Sequence, residues 1–243
     1  MQHVTIMHLK KKTMSNYVII GGSAGIGKEL VGLLSKNGDH VFTTYNESEV
    51  HNSTNVRYQK FNVLTDELDI SELPETIDGL AYCPGSINLK PFHRFKEEDF
   101  IEDYKLQTLG AVKVLKHLLP KLKKSSRASV VLFSTVAVQN GFSFHAQVAM
   151  SKGAIEGLTR SLAAELAPSI RINAVAPSIT STNLSMKFLS SPEKIQFQSE
   201  KNPLKRIGTT SDIAEAAHYL LSPKSSWMTG QILHVDGGTS IIR

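Results

Sequence analysis

Short apolar runs alternate with stretches of helical periodicity along most of the chain. Tyr17-Val18-Ile19-Ile20 is too short for a helix and ends in Gly21-Gly22-Ser23-Ala24-Gly25-Ile26-Gly27, after which Leu30, Leu33 and Leu34 recur at helical spacing. The pattern predicts strand, glycine turn, helix. Lys36-Asn37-Gly38-Asp39 carries the Gly and Asp of a helix stop, and a second apolar run, Val41-Phe42-Thr43-Thr44, follows it. Further strands are expected over Val56 to Phe61, Leu80 to Cys83, Val130 to Phe133, Ile172 to Val175 and Ile232 to Val235, with helical patterns between most of them. Such alternation specifies an α/β fold, a doubly wound parallel sheet covered by helices on both faces in three layers. The least regular stretch, Ser178 to Leu204, has Pro192 and Pro203 around amphipathic pieces. In doubly wound folds long insertions near strand C-termini are natural substrate lids. Its Met186, Phe188, Leu189, Ile195 and Phe197 suit either an apolar substrate portion or packing on the domain.

Composition narrows this picture. A chain of 243 residues holds one sizeable core, and no repeat or Pro/Gly/Ser-rich linker divides it, so residues 14–243 are expected to form a single domain behind a flexible leader, residues 1–13. The 41% hydrophobic and 20% charged residues exclude disordered and collagen-like classes. Charged residues, Gly or Pro interrupt every apolar run before the roughly 20 residues that cross a bilayer, so no membrane partner is expected. The single cysteine, Cys83, allows no intrachain disulfide and no Cys-based metal framework, which points to a reducing cytoplasm and no metal. The basic leader lacks the apolar core of a secretory signal and reads as a loose segment or an upstream start ahead of Met14. The net charge of +5 is concentrated there, at Lys10, Lys11 and Lys12. The remainder is close to neutral and Leu119 to Lys124 reads as a solvated helix end, so nucleic acid is not an expected partner.

Gly21, Gly25 and Gly27 follow the first strand and open the first helix. Without side chains there, the backbone turns tightly and approaches a pyrophosphate, while the helix N-terminus offers unpaired N–H groups and a positive dipole end. Ile20 to Gly27 resembles the Thr-Gly-x-x-x-Gly-Ile-Gly fingerprint of the short-chain dehydrogenase/reductase family, with Ile in place of Thr. The likeness continues through Lys152-Gly153-Ala154-Ile155-Glu156-Gly157-Leu158, similar to the family's lysine-bearing helix. It extends to Arg171-Ile172-Asn173-Ala174-Val175-Ala176-Pro177, Thr229-Gly230-Gln231 and Val235-Asp236-Gly237-Gly238, similar to its later strands. It spans about Ser15 to Ile242 and implies a Rossmann-like domain, a nicotinamide dinucleotide cofactor, a small-molecule substrate and self-association as a dimer or tetramer through the last strand.

The resemblance also implies the cofactor contacts. Gly21, Ser23, Gly25, Ile26 and Gly27 would line the phosphates; Asn62 and Val63 would meet adenine, with Asn62 in place of an Asp. Cys83 and Gly85 would follow the fourth strand, Lys152 would hold the nicotinamide ribose, and Pro177, Thr180 and Thr182 would follow the sixth strand. At the end of the second strand, where an acid selects NAD, stand Tyr45 and Asn46. Neither repels a 2′-phosphate and Lys28 or another cation can neutralise it, so NADP is expected, with NAD the alternative.

The reacting end departs from the family. Val148 stands four residues before Lys152, where the family has its proton-donating Tyr. The family's Ser falls on Thr135, which keeps a hydroxyl, with Ser134 beside it, and its helix Asn is Gln107. Cys83 reads as inert packing. On a helix His145, Val148 and Lys152 share nearly one face, so His145 can replace the missing acid, or else bond backbone or solvent at a helix start; Gln147 is a further candidate for the pocket. An unperturbed imidazole titrates near 6.5 and an unaided phenol near 10, which favours the imidazole as a general acid near neutral pH. The seven-residue interval from His145 to Lys152 also resembles the Tyr-to-Lys spacing of bacterial enoyl-thioester reductases, with His in the Tyr place. Two functions follow: an oxidoreductase moving hydride between NADP(H) and a small carbonyl or enoyl substrate, acyl thioesters included, with Thr135, His145 and Lys152 catalytic; or a dinucleotide-binding redox sensor or assembly partner without turnover.

Overall fold

In the first strand, β1 (Asn16–Ile20), Tyr17 and Ile19 enter one hydrophobic cluster while Val18 and Ile20 enter another, because successive side chains on a strand point to opposite faces. A strand with apolar residues on both sides needs cover on both sides, and the chain supplies it. The computed structural model describes residues 14–48 and 50–242; the leader expected over residues 1–13 lies outside them. β2 (His40–Tyr45), β3 (Val56–Lys60), β4 (Gly79–Tyr82), β5 (Ala128–Phe133), β6 (Ile170–Pro177) and β7 (Ile232–Val235) join β1 in one parallel sheet of order β3-β2-β1-β4-β5-β6-β7. The expected strands are present within a few residues, with Phe61 and Cys83 just outside theirs.

Helices α1 (Gly25–Lys36) and α6 (Thr210–Leu221) cover one face, where Leu30, Leu34, Ile213 and Leu220 meet Ile19 and Val131. Helices α3 (Gly110–Leu122) and α4 (Ala146–Leu166) cover the other, with Leu118, Leu122 and Ile155 against Val18, Leu80 and Ile172. These side chains are almost wholly buried, each worth about 1.5–3 kcal/mol of apolar transfer. The result is the expected single-domain, three-layer doubly wound fold. The strand order reverses between β1 and β4, which opens a crevice at their C-terminal ends.

Two irregular elements border that crevice. Helix α2 (Glu97–Tyr104) runs into α3 through a π-helical turn, Lys105–Leu109. A wider turn leaves backbone carbonyls without a helical partner, and here the buried Tyr82 hydroxyl donates to the Leu106 carbonyl. Gly110 makes room for that hydroxyl, which a Cβ would meet at 2.2 Å. The stretch expected as a lid contains a short 3-10 segment, Asn183–Phe188, and helix α5 (Pro192–Lys201), started by a Ser191 cap and Pro192 in its first turn.

Candidate active site

At the mouth of β1 the backbone of Gly21 (φ 80°) and Gly25 (φ 53°) lies in the left-handed region that favours glycine. Gly27 packs so tightly that a Cβ would stand 2.2 Å from the Gly21 carbonyl oxygen. Thr44 fixes the turn, its hydroxyl accepting from the Gly21 N–H and its carbonyl from the Gly22 N–H. The start of α1 has no side-chain cap, so its first N–H groups face the crevice unspent. Ser23 and Ile26 line the same wall. The cavity here, about 1100 Å³, runs from this turn across β4 and β5 to the segment after β6.

One end is lined by Tyr45, Asn46, Asn62 and Val63. The Asn62 side-chain oxygen accepts from the Leu64 N–H, which fixes the carboxamide at the wall. Lys28 is exposed and is not part of the wall. Lys60 stands opposite Tyr45 in the β2–β3 ladder, a cation that the sequence reading did not single out. Pro177, Thr180 and Thr182 close the opposite wall. Thr182 comes within 3.8 Å of where a Gly25 Cβ would be, so the segment after β6 arches back over the glycine turn.

The remaining candidates meet at the centre. Lys152 is 9% exposed on the inner face of α4, and burial pushes its pKa down to about 8, with the charge of Asp103 opposing the fall. Thr135 lines the cavity and caps the short helix Val136–Val138, its hydroxyl oxygen accepting from the Ala137 N–H at 3.3 Å. Ser134, its neighbour, spends its hydroxyl on Glu156 at 2.8 Å. Of these two neighbours, Thr135 is the one that keeps its hydroxyl proton for the cavity. His145 stands just before the first helical turn, without a side-chain bond to that turn, and from there lines the cavity together with Val148. Its Nδ1 lies 2.8 Å from the Ser143 carbonyl. A carbonyl only accepts, so Nδ1 carries the proton and Nε2 is left for another partner.

Four further residues surround this centre, and one of them, Gln147, departs from its sequence reading. Gln147 does not face the cavity: its Nε2 donates to the Asp99 carbonyl, because a one-residue step from Val148 turns it about 100° round the helix. Cys83 and Gly85 line the cavity, and burial pushes the Cys83 thiol up to about 12, which keeps it protonated. Gln107, carried by the π-helical turn, is wholly buried at the edge of the cavity, and its Oε1 has no hydrogen-bond partner. An unpaired buried acceptor is costly unless something bound supplies a donor.

Beyond His145 the wall is apolar, formed by Phe142, Phe144, Ile87, Leu89, Leu184 and Phe188, with Lys201 at its rim. Of the five lid residues that suited either an apolar substrate portion or packing on the domain, Phe188 lines the cavity, whereas Met186, Leu189, Ile195 and Phe197 do not, and Met186, Ile195 and Phe197 are exposed. Phe144 holds φ at 71°, a conformation rare for a bulky residue, directly before His145. Among the described residues no cluster of His, Cys, Asp and Glu has metal-binding geometry, and no helix is long and apolar enough to cross a membrane.

Residues 21–240 match the family model described as enoyl-(acyl carrier protein) reductase. A chloroplastic tropinone reductase homolog of Arabidopsis thaliana is 33% identical over 241 residues, covering 92% of this chain and 75% of the relative. A short chain dehydrogenase family protein from Francisella tularensis superposes with a TM-score of 0.86 at 28% identity, covering 95% of this chain and 100% of that one. A variant of ElxO with NADPH bound superposes with a TM-score of 0.84 at 28% identity, over 93% and 99% of the two chains.

Proposed function

The chain belongs to the short-chain dehydrogenase/reductase family of oxidoreductases, and from that premise we propose that its cavity transfers hydride between NADP(H) and a small carbonyl or conjugated enoyl substrate, acyl thioesters included. The observation that carries the reading is that Thr135, His145 and Lys152 line one wall that is continuous with the glycine cradle. The residues present fit a nicotinamide dinucleotide: the cradle admits backbone contact with phosphates that a Cβ at residue 27 would prevent, and Gln107 Oε1 awaits a donor. Bound there, that group supplies the hydride.

The side chains do the rest. Lys152 would hold the nicotinamide ribose with its ammonium, Thr135 would orient the substrate oxygen by donating a hydrogen bond, and His145, its Nδ1–H steadied by the Ser143 carbonyl, would in its imidazolium form give up the single proton the reduction needs from Nε2 and regain it from solvent. The apolar wall of Phe142, Leu184 and Phe188 takes the carbon skeleton and excludes water. For the cofactor's 2′-phosphate, Tyr45 and Asn46 offer no repelling acid and Lys60 stands opposite Tyr45. The NADPH-bound neighbour supports the same preference.

The test is NADPH oxidation by wild type and His145→Ala over ketones, β-ketoacyl thioesters and enoyl thioesters. Wild type should turn over at least one class, and the variant should lose about 10²-fold or more in kcat with unchanged NADPH affinity. Equal turnover would remove His145 from the proton step. Val148, a buried aliphatic where the family's Tyr stands, motivates the second reading, a dinucleotide-binding sensor or assembly partner. Tight NADPH binding with silence from every substrate class would establish it.

A further inference from the structure

A buried carboxylate beside the cavity takes no part in the chemistry above. Asp103, in the last turn of α2, is 4% exposed. Both of its oxygens lie 2.8 Å from Gln107 Nε2, and the Ser86 hydroxyl donates to one of them. Because the Gln107 nitrogen is committed to Asp103, its oxygen is turned to the other side, toward Gly85, where it is buried and finds no partner. That oxygen lies 3.3 Å, and Lys152 Nζ 3.7 Å, from the point where a Cβ on Gly85 would stand. The two atoms face the same gap, kept open because residue 85 has no side chain. The π-helical turn that carries Gln107 is docked on α4 at this level, with the Thr108 hydroxyl donating to the Ser151 carbonyl at 2.9 Å. The Thr108 tether thus fixes the turn that carries Gln107 against the helix that carries Lys152, while the Leu106 carbonyl ties the same turn to Tyr82 on β4.

We propose that Asp103 is a positioning residue for Lys152: clamped by Gln107 and Ser86, its carboxylate holds the lysine as an ammonium in the closed wall of the cavity and orients Gln107 Oε1 toward it. The inference rests on the reading of Lys152 as the group that meets the cofactor ribose. An isolated ammonium so deeply buried sheds its proton readily, and a nearby carboxylate opposes that. Other ionisable groups nearby do not supply the negative charge. The Cys83 thiol beyond β4 stays protonated, Glu156 on α4 itself is engaged by Ser134 and Arg160, and His145 at the start of α4 brings no negative charge. Asp103 is the leading favourable charge on Lys152.

The test reads the lysine directly. Intact protein is labelled with a trace of acetic anhydride across pH 6 to 11, and the Lys152 peptide is quantified by mass spectrometry. In wild type the labelling midpoint should lie near 8, and in Asp103→Asn it should fall by about one pH unit or more. Coincident midpoints, or a rise, would overturn the proposal. Should the Asn variant not fold, Asp103→Leu combined with Gln107→Leu removes both partners together, a change far gentler than orphaning one, and the same fall is expected. Under steady-state turnover the basic limb of the wild-type pH profile should move with the labelling midpoint, with KM for NADPH rising more than kcat falls above it. A wild type that neither binds NADPH nor turns over would sink the oxidoreductase reading and still leave the labelling midpoints to decide this one.

Discussion

Lys152 carries a conflict between what its position demands and what its charge tolerates. Burial lowers its pKa from 10.5 to about 8, so between those values the folded chain has released a proton that the unfolded chain retains. The unfolded state binds more protons in that window, and stability from this group rises with pH across it, the desolvation cost being fully present below about 8. Urea unfolding of wild type against Lys152→Met should therefore show the difference moving in favour of wild type by about 1–3 kcal/mol between pH 7.5 and pH 10; a flat difference would place the lysine in water. The lysine itself was legible in the sequence because its motif is local. Spacing also put the family's Ser position on Thr135; the reason Ser134 beside it is not free was hidden, since it depends on Glu156 arriving beside β5 through the packing of α4. Gln107 was visible only as a substituted residue. Its commitment to Asp103 depends on a helix register that no periodicity reveals.

At the scale of elements, the strands and the glycine turn were readable because each is specified within a dozen residues: an apolar run, then glycines where only glycines fit. The π-helical turn at Lys105–Leu109 was not, because what permits it lies elsewhere in the chain, in Tyr82 and Ser151. The lid was recognised as irregular, but which of its faces turns inward is set by docking rather than by its own weak amphipathicity. Helix α1 offers a controlled comparison of what glycine does in two places. At Gly27 a Cβ meets backbone, the Gly21 carbonyl oxygen at 2.2 Å, whereas at Gly32 it meets nothing within 4 Å. Gly27→Ala should weaken NADPH binding at least tenfold and lower the melting temperature, because the cradle must shift to admit the methyl. Gly32→Ala should raise stability by about 0.5–1 kcal/mol through helix propensity alone, with binding unchanged. Calorimetric titration and melting of the pair check both, and equal effects would show that the cradle is looser than its geometry implies.

For the molecule as a whole, the cavity lies where the strand order reverses, so its walls come from the ends of β1 and β2, the turn after β4, and the segment after β6. A ligand spanning these elements binds only the folded state and must stabilise it by mass action, about 2.7 kcal/mol at a hundred times Kd. For a domain of this size that is a rise of roughly 5–10 °C in melting temperature. The two dinucleotides differ only at the 2′-position, which the proposed reading sets beside Tyr45 and Asn46, so the difference between their shifts tests that corner. NADPH should raise the melting temperature more than NADH at equal concentration. Asn46→Asp, which places at the end of β2 an acid that bonds ribose hydroxyls and repels phosphate, should reverse the order while leaving the unliganded melting temperature nearly unchanged, since Asn46 is exposed. Equal shifts with both dinucleotides in wild type would mean that the corner does not read the phosphate. A reversal in the variant without any preference in wild type would mean that selectivity here comes only from adding an acid, and that Lys60, opposite Tyr45, contributes nothing to it.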